Sequence, residues 1–94
     1  MPFPQQTPRA FNRREIEALN LNQFGVYGLY RPGQWVYIGR GDIRQRLLNH
    51  FNGDNICITT QAPTHFVAEV SSNMDERERQ LISELQPLCN QRLG

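Results

Sequence analysis

Hydrophobic and polar residues alternate along three segments of the chain in a way that predicts β-strands. Two of these segments, 24–30 (FGVYGLY) and 35–39 (WVYIG), are separated by the turn dipeptide Pro32-Gly33 and predict a β-hairpin. The third segment, 65–70, has apolar residues at every second position, which is the period of a strand with one buried face. The pattern therefore predicts three strands.

Apolar residues at helical spacing predict three helices around these strands. The helices end near positions 19, 51 and 85, and their expected N-cap residues are Asn12, Asp42, and either Ser72 or Asn73. Between the second helix and the third strand, residues 53–64 have a loop-like composition, with a short strand as an option at 56–58. Strands and helices of this kind together predict an α+β fold.

The length of the chain fits one domain. It has 94 residues, of which 38% are hydrophobic, and it contains no internal repeat. Three prolines near the start predict a flexible N-terminal arm at 1–10, followed by a single domain at 11–94. No apolar run approaches the roughly 18–20 residues of a membrane helix, and the start lacks the apolar core of a signal peptide. We therefore expect a cytoplasmic protein with no membrane partner.

The two cysteines, Cys57 and Cys89, are too few for a disulfide framework. Neither belongs to a C-x-x-C pair, so the spacing does not favour a zinc site. We interpret both as thiols in a reducing cytoplasm.

Charge is distributed unevenly along the chain, although the net charge is only +1. Residues 1–52 contain seven arginines and three acidic residues (+4), whereas residues 53–94 contain three arginines and six acidic residues (−3). All ten basic residues are arginine, whose planar guanidinium forms paired hydrogen bonds with phosphate or carboxylate. This composition suits anion binding, but biased codon usage or chance explains it equally well.

Two predicted helices carry charged residues at unexpected positions. Glu78 lies in line with the apolar residues of the last helix, where a carboxylate must be paired, protonated or bound to a cation. The simpler interpretation is that Glu78 lies at the exposed end of the stripe or pairs with Arg77 or Arg79. Arg46 likewise lies beside the apolar stripe of its helix, one turn before His50, and a solvated arginine is the simpler interpretation there.

The predicted hairpin is unusual because it combines glycines with aromatic residues. Gly25, Gly28 and Gly39 interrupt or end its strands, although glycine weakens a strand. All three tyrosines of the chain, at positions 27, 30 and 37, are in the same hairpin. Such aromatics usually form cross-strand pairs in a core, but glycines next to them also indicate close approach of a ligand or another backbone.

Taken in order, these residues form a pattern that resembles the GIY-YIG endonuclease superfamily. The pattern consists of GVY at 25–27, YIG at 37–39, Arg46-Leu47 with His50, E-x-x-L-I at 78–82 and P-x-x-N at 87–90. The superfamily includes the N-terminal nuclease domain of the excision-repair protein UvrC, and the resemblance covers residues 24–90. It implies a small three-stranded antiparallel sheet flanked by helices, which agrees with the α+β pattern above.

The resemblance also implies roles for individual residues. Tyr27 corresponds to the general base that activates water, and Tyr37 to the second tyrosine of the site. Glu78 corresponds to the ligand of a single divalent metal ion, Mg²⁺ or Mn²⁺. Arg46 corresponds to the arginine that binds the scissile phosphate, and Asn90 to an asparagine that stabilises the site. Arg40, Arg44 and His50 are further candidates for phosphate binding, and a neutral histidine at the edge of the core is an equally good interpretation of His50. Arg40 stands where many relatives have lysine, and because guanidinium stays protonated it cannot relay a proton.

The resemblance thus implies a metal-dependent endonuclease that hydrolyses phosphodiester bonds in DNA. The alternative is a non-catalytic module that keeps the fold and binds nucleic acid or protein. We expect no separate DNA-binding domain, and a homodimer is the simplest way to extend the contact surface.

A shared site for Tyr27 and Tyr37 sets a condition on the hairpin. Side chains of a strand alternate between the two faces, so both phenols lie on one face only if their positions differ by an even offset. A two-residue loop at Pro32-Gly33 would by itself place them on opposite faces. We therefore predict a bulge or an odd-length loop near the turn.

Overall fold

A computed structural model describes residues 3–90, in which a four-stranded antiparallel sheet lies between helices. The elements in chain order are β1 (Arg9–Ala10), α1 (Arg13–Glu17), β2 (Phe24–Arg31), β3 (Gln34–Asp42), α2 (Ile43–Phe51), α3 (Ile56–Gln61), β4 (His65–Val70), α4 (Met74–Leu85) and a 3₁₀ turn (Leu88–Asn90). The predicted α+β class is confirmed. No helix in this part of the chain is long and apolar enough to cross a membrane.

The sheet has the strand order β1-β4-β2-β3, so the prediction of three strands is wrong. The additional strand, β1, has only two residues and pairs Arg9 with Phe66 and Ala10 with His65. Two residues are too few to show an alternating pattern, and the free edge of β4 determines that they become a strand. The described part of the predicted arm lies against the sheet, with Gln6 hydrogen-bonded to the backbone of Ala68 at 3.1 Å in both directions.

The hairpin of β2 and β3 confirms the predicted bulge. Its two-residue loop pairs Arg31 with Gln34, but the pairing shifts by one residue after Leu29. Beyond the shift Leu29 pairs with Tyr37, and Tyr27 pairs with Gly39. Tyr27 and Tyr37 are therefore on the same face of the sheet, and their ring centroids are 6.4 Å apart.

Local capping explains where two of the helices begin. The side chain of Asn12 accepts a hydrogen bond from the backbone of Glu15 at 2.8 Å, and Asp42 accepts one from Gln45 at 3.2 Å. The last helix begins after Asn73, whose side chain makes no capping bond to the backbone. The predicted helices are thus present, although α1 ends at Glu17, earlier than expected.

The segment predicted as loop with an optional short strand contains a helix, α3, so this prediction is wrong. Asn55 caps it by accepting hydrogen bonds from the backbone of Cys57 and Ile58, and the helix ends at Ala62 in a left-handed conformation. The β-branched residues of the segment favour a strand, but the cap and the burial of Ile58 in the core favour the helix.

Each face of the sheet has its own hydrophobic core. The face that carries Tyr27 packs against α1, α2 and α3, with a core of Ile16, Tyr27, Leu29, Val36, Ile43, Leu47, Ile58 and Phe66. The opposite face packs against α4 and the N-terminal segment, with a core of Phe3, Val26, Ile38, Val67 and Leu81. Both faces of β2 are therefore buried, which explains its nearly continuous apolar sequence.

Cys57 and Cys89 form a disulfide bond, so their interpretation as thiols is wrong. Their Cα atoms are 5.7 Å apart, although 32 positions separate them in the sequence. The fold brings α3 next to the 3₁₀ turn that follows α4, and sequence spacing alone could not indicate this proximity. The bond fastens α3 to the 3₁₀ turn that carries Asn90.

We expect reduction of this disulfide to lower the free energy of unfolding by about 3–4 kcal/mol, since the bond closes a loop of moderate length in the unfolded chain. Urea unfolding with and without a thiol reductant measures the effect. The double variant Cys57→Ser/Cys89→Ser is the control, because its midpoint should not respond to the reductant. Equal midpoints for the oxidised and reduced wild-type protein would contradict the expectation.

Candidate active site

Tyr27 and Tyr37 form the centre of the candidate site. Tyr27 is fully buried in the middle of β2, and Tyr37 is partly buried on β3. Gly39 pairs with Tyr27 across the two strands, and a Cβ atom at Gly39 would overlap the Tyr27 hydroxyl and the Tyr37 ring. The glycine of the YIG segment therefore provides the space in which the two phenols meet.

His50 connects Tyr27 to α2 and to the turn that follows it. Its Nε2 atom is 2.7 Å from the Tyr27 hydroxyl, and its Nδ1 atom is 2.8 Å from a carboxylate oxygen of Asp54. Burial lowers the pKa of His50 below its usual value, and the neighbouring Asp54 carboxylate partly opposes this shift. Sequence reasoning missed Asp54, although its position four residues after His50 could have indicated a contact.

The guanidinium of Arg46 lies close enough to the Tyr27 hydroxyl to favour the ionised form of the phenol and so to lower its pKa. The Nε atoms of both Arg44 and Arg46 are buried and have no hydrogen-bond partner within the described residues. An arginine with unused donors next to a reactive group is a suitable ligand for a phosphate oxygen. The position of Arg46 therefore fits phosphate binding at the hydroxyl of Tyr27.

Burial raises the pKa of the Tyr27 phenol well above its usual value, and the nearby Arg46 guanidinium only partly opposes this shift. Burial likewise raises the pKa of Tyr37, and the charge of Arg46 lowers it. Both phenols are consequently protonated at neutral pH. Tyr27 can act as a base only if its own proton leaves as another arrives.

Glu78 lies on α4 and is paired with Arg40 of β3, at 3.3 Å between Oε1 and Nε. The other side of the Arg40 guanidinium forms an ion pair with Asp75, at 2.7 Å. Arg77, one of the partners considered for Glu78 from the sequence, is bound to Glu69 by two hydrogen bonds. Burial is the main cause that raises the pKa of Tyr37, and the charge of Glu78 adds to it.

Glu78 and Asp75 are the residues that could hold a divalent ion. Carboxylate oxygens are the donors that Mg²⁺ and Mn²⁺ prefer, and Mg²⁺ is commonly bound by one or two carboxylates together with water and substrate phosphate. The described residues contain no group of three or more histidine, cysteine, aspartate or glutamate side chains suited to a metal ion. The donor set therefore fits a hydrated Mg²⁺ or Mn²⁺ ion and does not fit a fully protein-ligated metal.

Asn90 stabilises the edge of the sheet through both ends of its side-chain amide. The Oδ1 atom accepts a hydrogen bond from the Ile38 backbone at 2.7 Å, and the Nδ2 atom donates one to the Ile38 carbonyl at 2.8 Å. Ile38 lies between Tyr37 and Gly39 on β3, the strand at the edge of the sheet. Asn90 thus helps to hold the strand that carries the second tyrosine.

The structure brings six of the eight predicted site residues together in two groups, whereas Arg44 and Asn90 belong to neither group. One group surrounds the Tyr27 hydroxyl and consists of Tyr27, Tyr37, Arg46, His50 and the additional residue Asp54. The other joins β3 to α4 and consists of Arg40, Glu78 and the additional residue Asp75. Within the described residues, a cleft of about 360 Å³ is lined by none of these side chains, whereas His50 lines another cleft, of about 230 Å³. The candidate site therefore combines a fully buried phenol, Tyr27, with the more exposed charged side chains of Arg40 and Asp75.

Comparison with known proteins identifies no relative of this chain, because no family model, no curated protein and no solved structure matches it.

Proposed function

We propose that this protein is a metal-dependent endonuclease of the GIY-YIG type that hydrolyses phosphodiester bonds in DNA. The observation that carries the proposal is the convergence on one buried phenol, Tyr27, of residues that are far apart in the sequence. Arg46 and His50 reach its hydroxyl from α2, and Tyr37 lies beside it on β3. A buried phenol with a hydrogen-bonded histidine and an adjacent arginine has the groups needed for proton transfer and for binding a phosphate.

Each residue has a distinct task in this reaction. Tyr27 accepts a proton from the attacking water, and Arg46 donates hydrogen bonds to the phosphate oxygens on which negative charge develops. Asn90 keeps β3 in register so that Tyr37 stays beside Tyr27. A divalent ion held by Glu78 would neutralise charge on the scissile phosphate.

DNA is the proposed substrate because the guanidinium groups of the arginines near the site can donate hydrogen bonds to the phosphates of its backbone. Arg44 and Arg46 lie on one helix, and each has a buried Nε atom without a partner among the described residues. Contacts between arginine side chains and DNA phosphates give strongly salt-dependent binding with little sequence preference. We therefore expect cleavage of many sequences.

The proposal is tested by incubating the purified protein with supercoiled plasmid, linear duplex, single-stranded and branched DNA, with Mg²⁺, Mn²⁺ or EDTA. The expected result is cleavage of at least one substrate that needs the metal ion and is absent in a Glu78→Gln preparation purified in parallel. The parallel preparation excludes a contaminating nuclease. Binding of DNA without cleavage under every condition would overturn the proposal and favour the non-catalytic module.

The pairing of Arg40 leads to a further expectation about metal binding. Substitution of Arg40 by glutamine should raise the affinity for Mn²⁺ by about two- to tenfold, because it removes a cation that now pairs with both Glu78 and Asp75. Calorimetric titration of Mn²⁺ into the protein without DNA measures the change. The matched control is Arg79→Gln, which removes the same charge from α4 itself; an equal gain there would contradict a specific role of Arg40.

A further inference from the structure

Asp54 lies in the turn between α2 and α3, where it contacts His50 from the side opposite to Tyr27. The His50 side chain is 2% exposed, whereas that of Asp54 is 41% exposed. The two hydrogen bonds of the imidazole therefore connect a buried phenol to a carboxylate that reaches solvent. Nothing in the proposed roles above uses this carboxylate.

The chemistry of the two partners determines where the proton of His50 is. An ionised carboxylate can only accept a hydrogen bond, so the Nδ1 atom of His50 carries the hydrogen that points to Asp54. Burial keeps the imidazole neutral, and a neutral imidazole has only one N–H group. The Nε2 atom is thus an acceptor, and the Tyr27 hydroxyl donates its hydrogen to it.

The backbone holds Asp54 in this position independently of its side chain. Gly53 has a φ of +92°, a conformation that strongly favours glycine, and this bend turns the chain back toward α2. The backbone N–H of Asp54 donates to the carbonyl of Asn49 at 3.2 Å. The next residue, Asn55, caps α3, and the disulfide of Cys57 fastens that helix. The turn that places the carboxylate beside His50 is therefore held by α2 before Asp54 and by α3 after it.

We propose that Asp54 is a positioning residue for the reaction at Tyr27, because it selects the form of His50 whose Nε2 atom can take the Tyr27 proton. The inference rests on the proposed function. When water attacks phosphorus, one of its O–H bonds breaks and the proton goes to the Tyr27 oxygen, while the original Tyr27 proton moves to Nε2 of His50. The electron pair of the water oxygen forms the new P–O bond, and the P–O bond to the leaving oxygen breaks. The leaving oxygen takes a proton from solvent, and His50 later returns its extra proton to solvent.

The charged and titratable groups that face His50 fit this assignment. Tyr27 and Tyr37 contact its ring from β2 and β3, with centroid distances of 5.6 and 5.2 Å. Burial and the charge of Arg46 lower the pKa of His50, whereas the hydrogen bond and the charge of Asp54 raise it. Among the described residues, Asp54 is therefore the group that stabilises the imidazolium formed during the reaction.

The first test requires no activity. In wild-type protein, nitrogen-15 NMR at neutral pH should show His50 with its proton on Nδ1. In Asp54→Ala the proton should move largely to Nε2, which is the preferred form of neutral histidine in water, and Asp54→Glu should restore the wild-type form at least in part. The control Glu17→Ala removes an exposed carboxylate from α1 and should leave the His50 signals unchanged. An unchanged tautomer in Asp54→Ala would overturn the proposal.

The second test measures cleavage. Asp54→Ala should lower kcat by about 10–100-fold, a loss comparable to that for residues that orient metal-bound histidines, with little change in KM for DNA. The acidic limb of its pH–kcat profile should move to lower pH, because His50 loses the group that raises its pKa. A tautomer change with unaltered kcat would overturn the positioning role. Absence of cleavage by the wild-type protein would instead overturn the proposed function, and the NMR result would still decide whether Asp54 orients His50.

Discussion

Substitution of Tyr27 by phenylalanine is expected to lower the rate of DNA cleavage by at least about 10²–10⁴-fold, the contribution typical of general base catalysis. The change removes one oxygen atom and keeps the ring, so the core around β2 stays filled. It also removes the hydroxyl that contacts His50 and Arg46. We therefore expect the loss to appear in kcat measured at saturating DNA and metal ion.

The matched control for this substitution is Tyr30→Phe in the same hairpin. Tyr30 is stacked on His65 with a ring-centroid distance of 5.5 Å and belongs to neither group of site residues. Its substitution removes the same atom and should leave cleavage unchanged. Tyr27→Phe should also lower the free energy of unfolding by about 1–3 kcal/mol, because the buried Nε2 atom of His50 loses its partner. Wild-type cleavage by the folded Tyr27→Phe variant would show that Tyr27 is not the base.

Substitution of Glu78 by glutamine is expected to abolish metal-dependent cleavage while leaving the fold intact. Glutamine has nearly the same shape as glutamate, but its neutral amide is a much weaker ligand for Mg²⁺ or Mn²⁺. The pair between Arg40 and Asp75 does not involve Glu78, so we expect the contact between β3 and α4 to persist. Cleavage rates over a range of Mg²⁺ concentrations, together with thermal unfolding, separate the loss of the metal ligand from a loss of structure.

The control for this second substitution is Glu76→Gln on the same helix. Glu76 is exposed and accepts a hydrogen bond from Asn73 at 2.7 Å, whereas Arg40 pairs with Asp75 and Glu78. Its substitution removes an equal charge and should change cleavage little. Full activity of Glu78→Gln at every Mg²⁺ concentration would contradict the assignment of Glu78 as the metal ligand.

The hairpin shows which structural features of this chain a local sequence pattern can predict. Pro32-Gly33 predicts the turn. Because side chains of a strand alternate between two faces, Tyr27 and Tyr37 can share one face across a two-residue loop only if the hairpin contains a bulge. The structure contains this bulge after Leu29. The prediction succeeded because turn chemistry and strand period act over a few neighbouring residues. The same is true of Asn12 and Asp42, which cap helices through backbone groups three residues away.

The features that the sequence could not predict depend on partners distant along the chain. Strand β1 exists because Arg9 and Ala10 meet the free edge of β4, and Cys57 meets Cys89 only after α3 and the 3₁₀ turn are packed on the sheet. In α3, the local preference of β-branched residues for a strand is outweighed by the Asn55 cap and by burial of Ile58. Tertiary contacts therefore determined β1 and the disulfide, for which the local sequence gives no signal, and α3, for which the local sequence favours a strand.

For the candidate site, too, some features follow from the sequence and others only from the tertiary structure. Sequence alone determined which residue types could act, because the spacing of Tyr27, Tyr37, Arg46 and Glu78 follows a recognisable order on predicted strands and helices. Only the tertiary structure decided their partners: Arg40 pairs with Glu78 and Asp75, and Asp54 reaches the far side of His50. The physical reason is that strand and helix periods fix the face on which a side chain lies, whereas a hydrogen bond or ion pair depends on distances between elements that only packing sets.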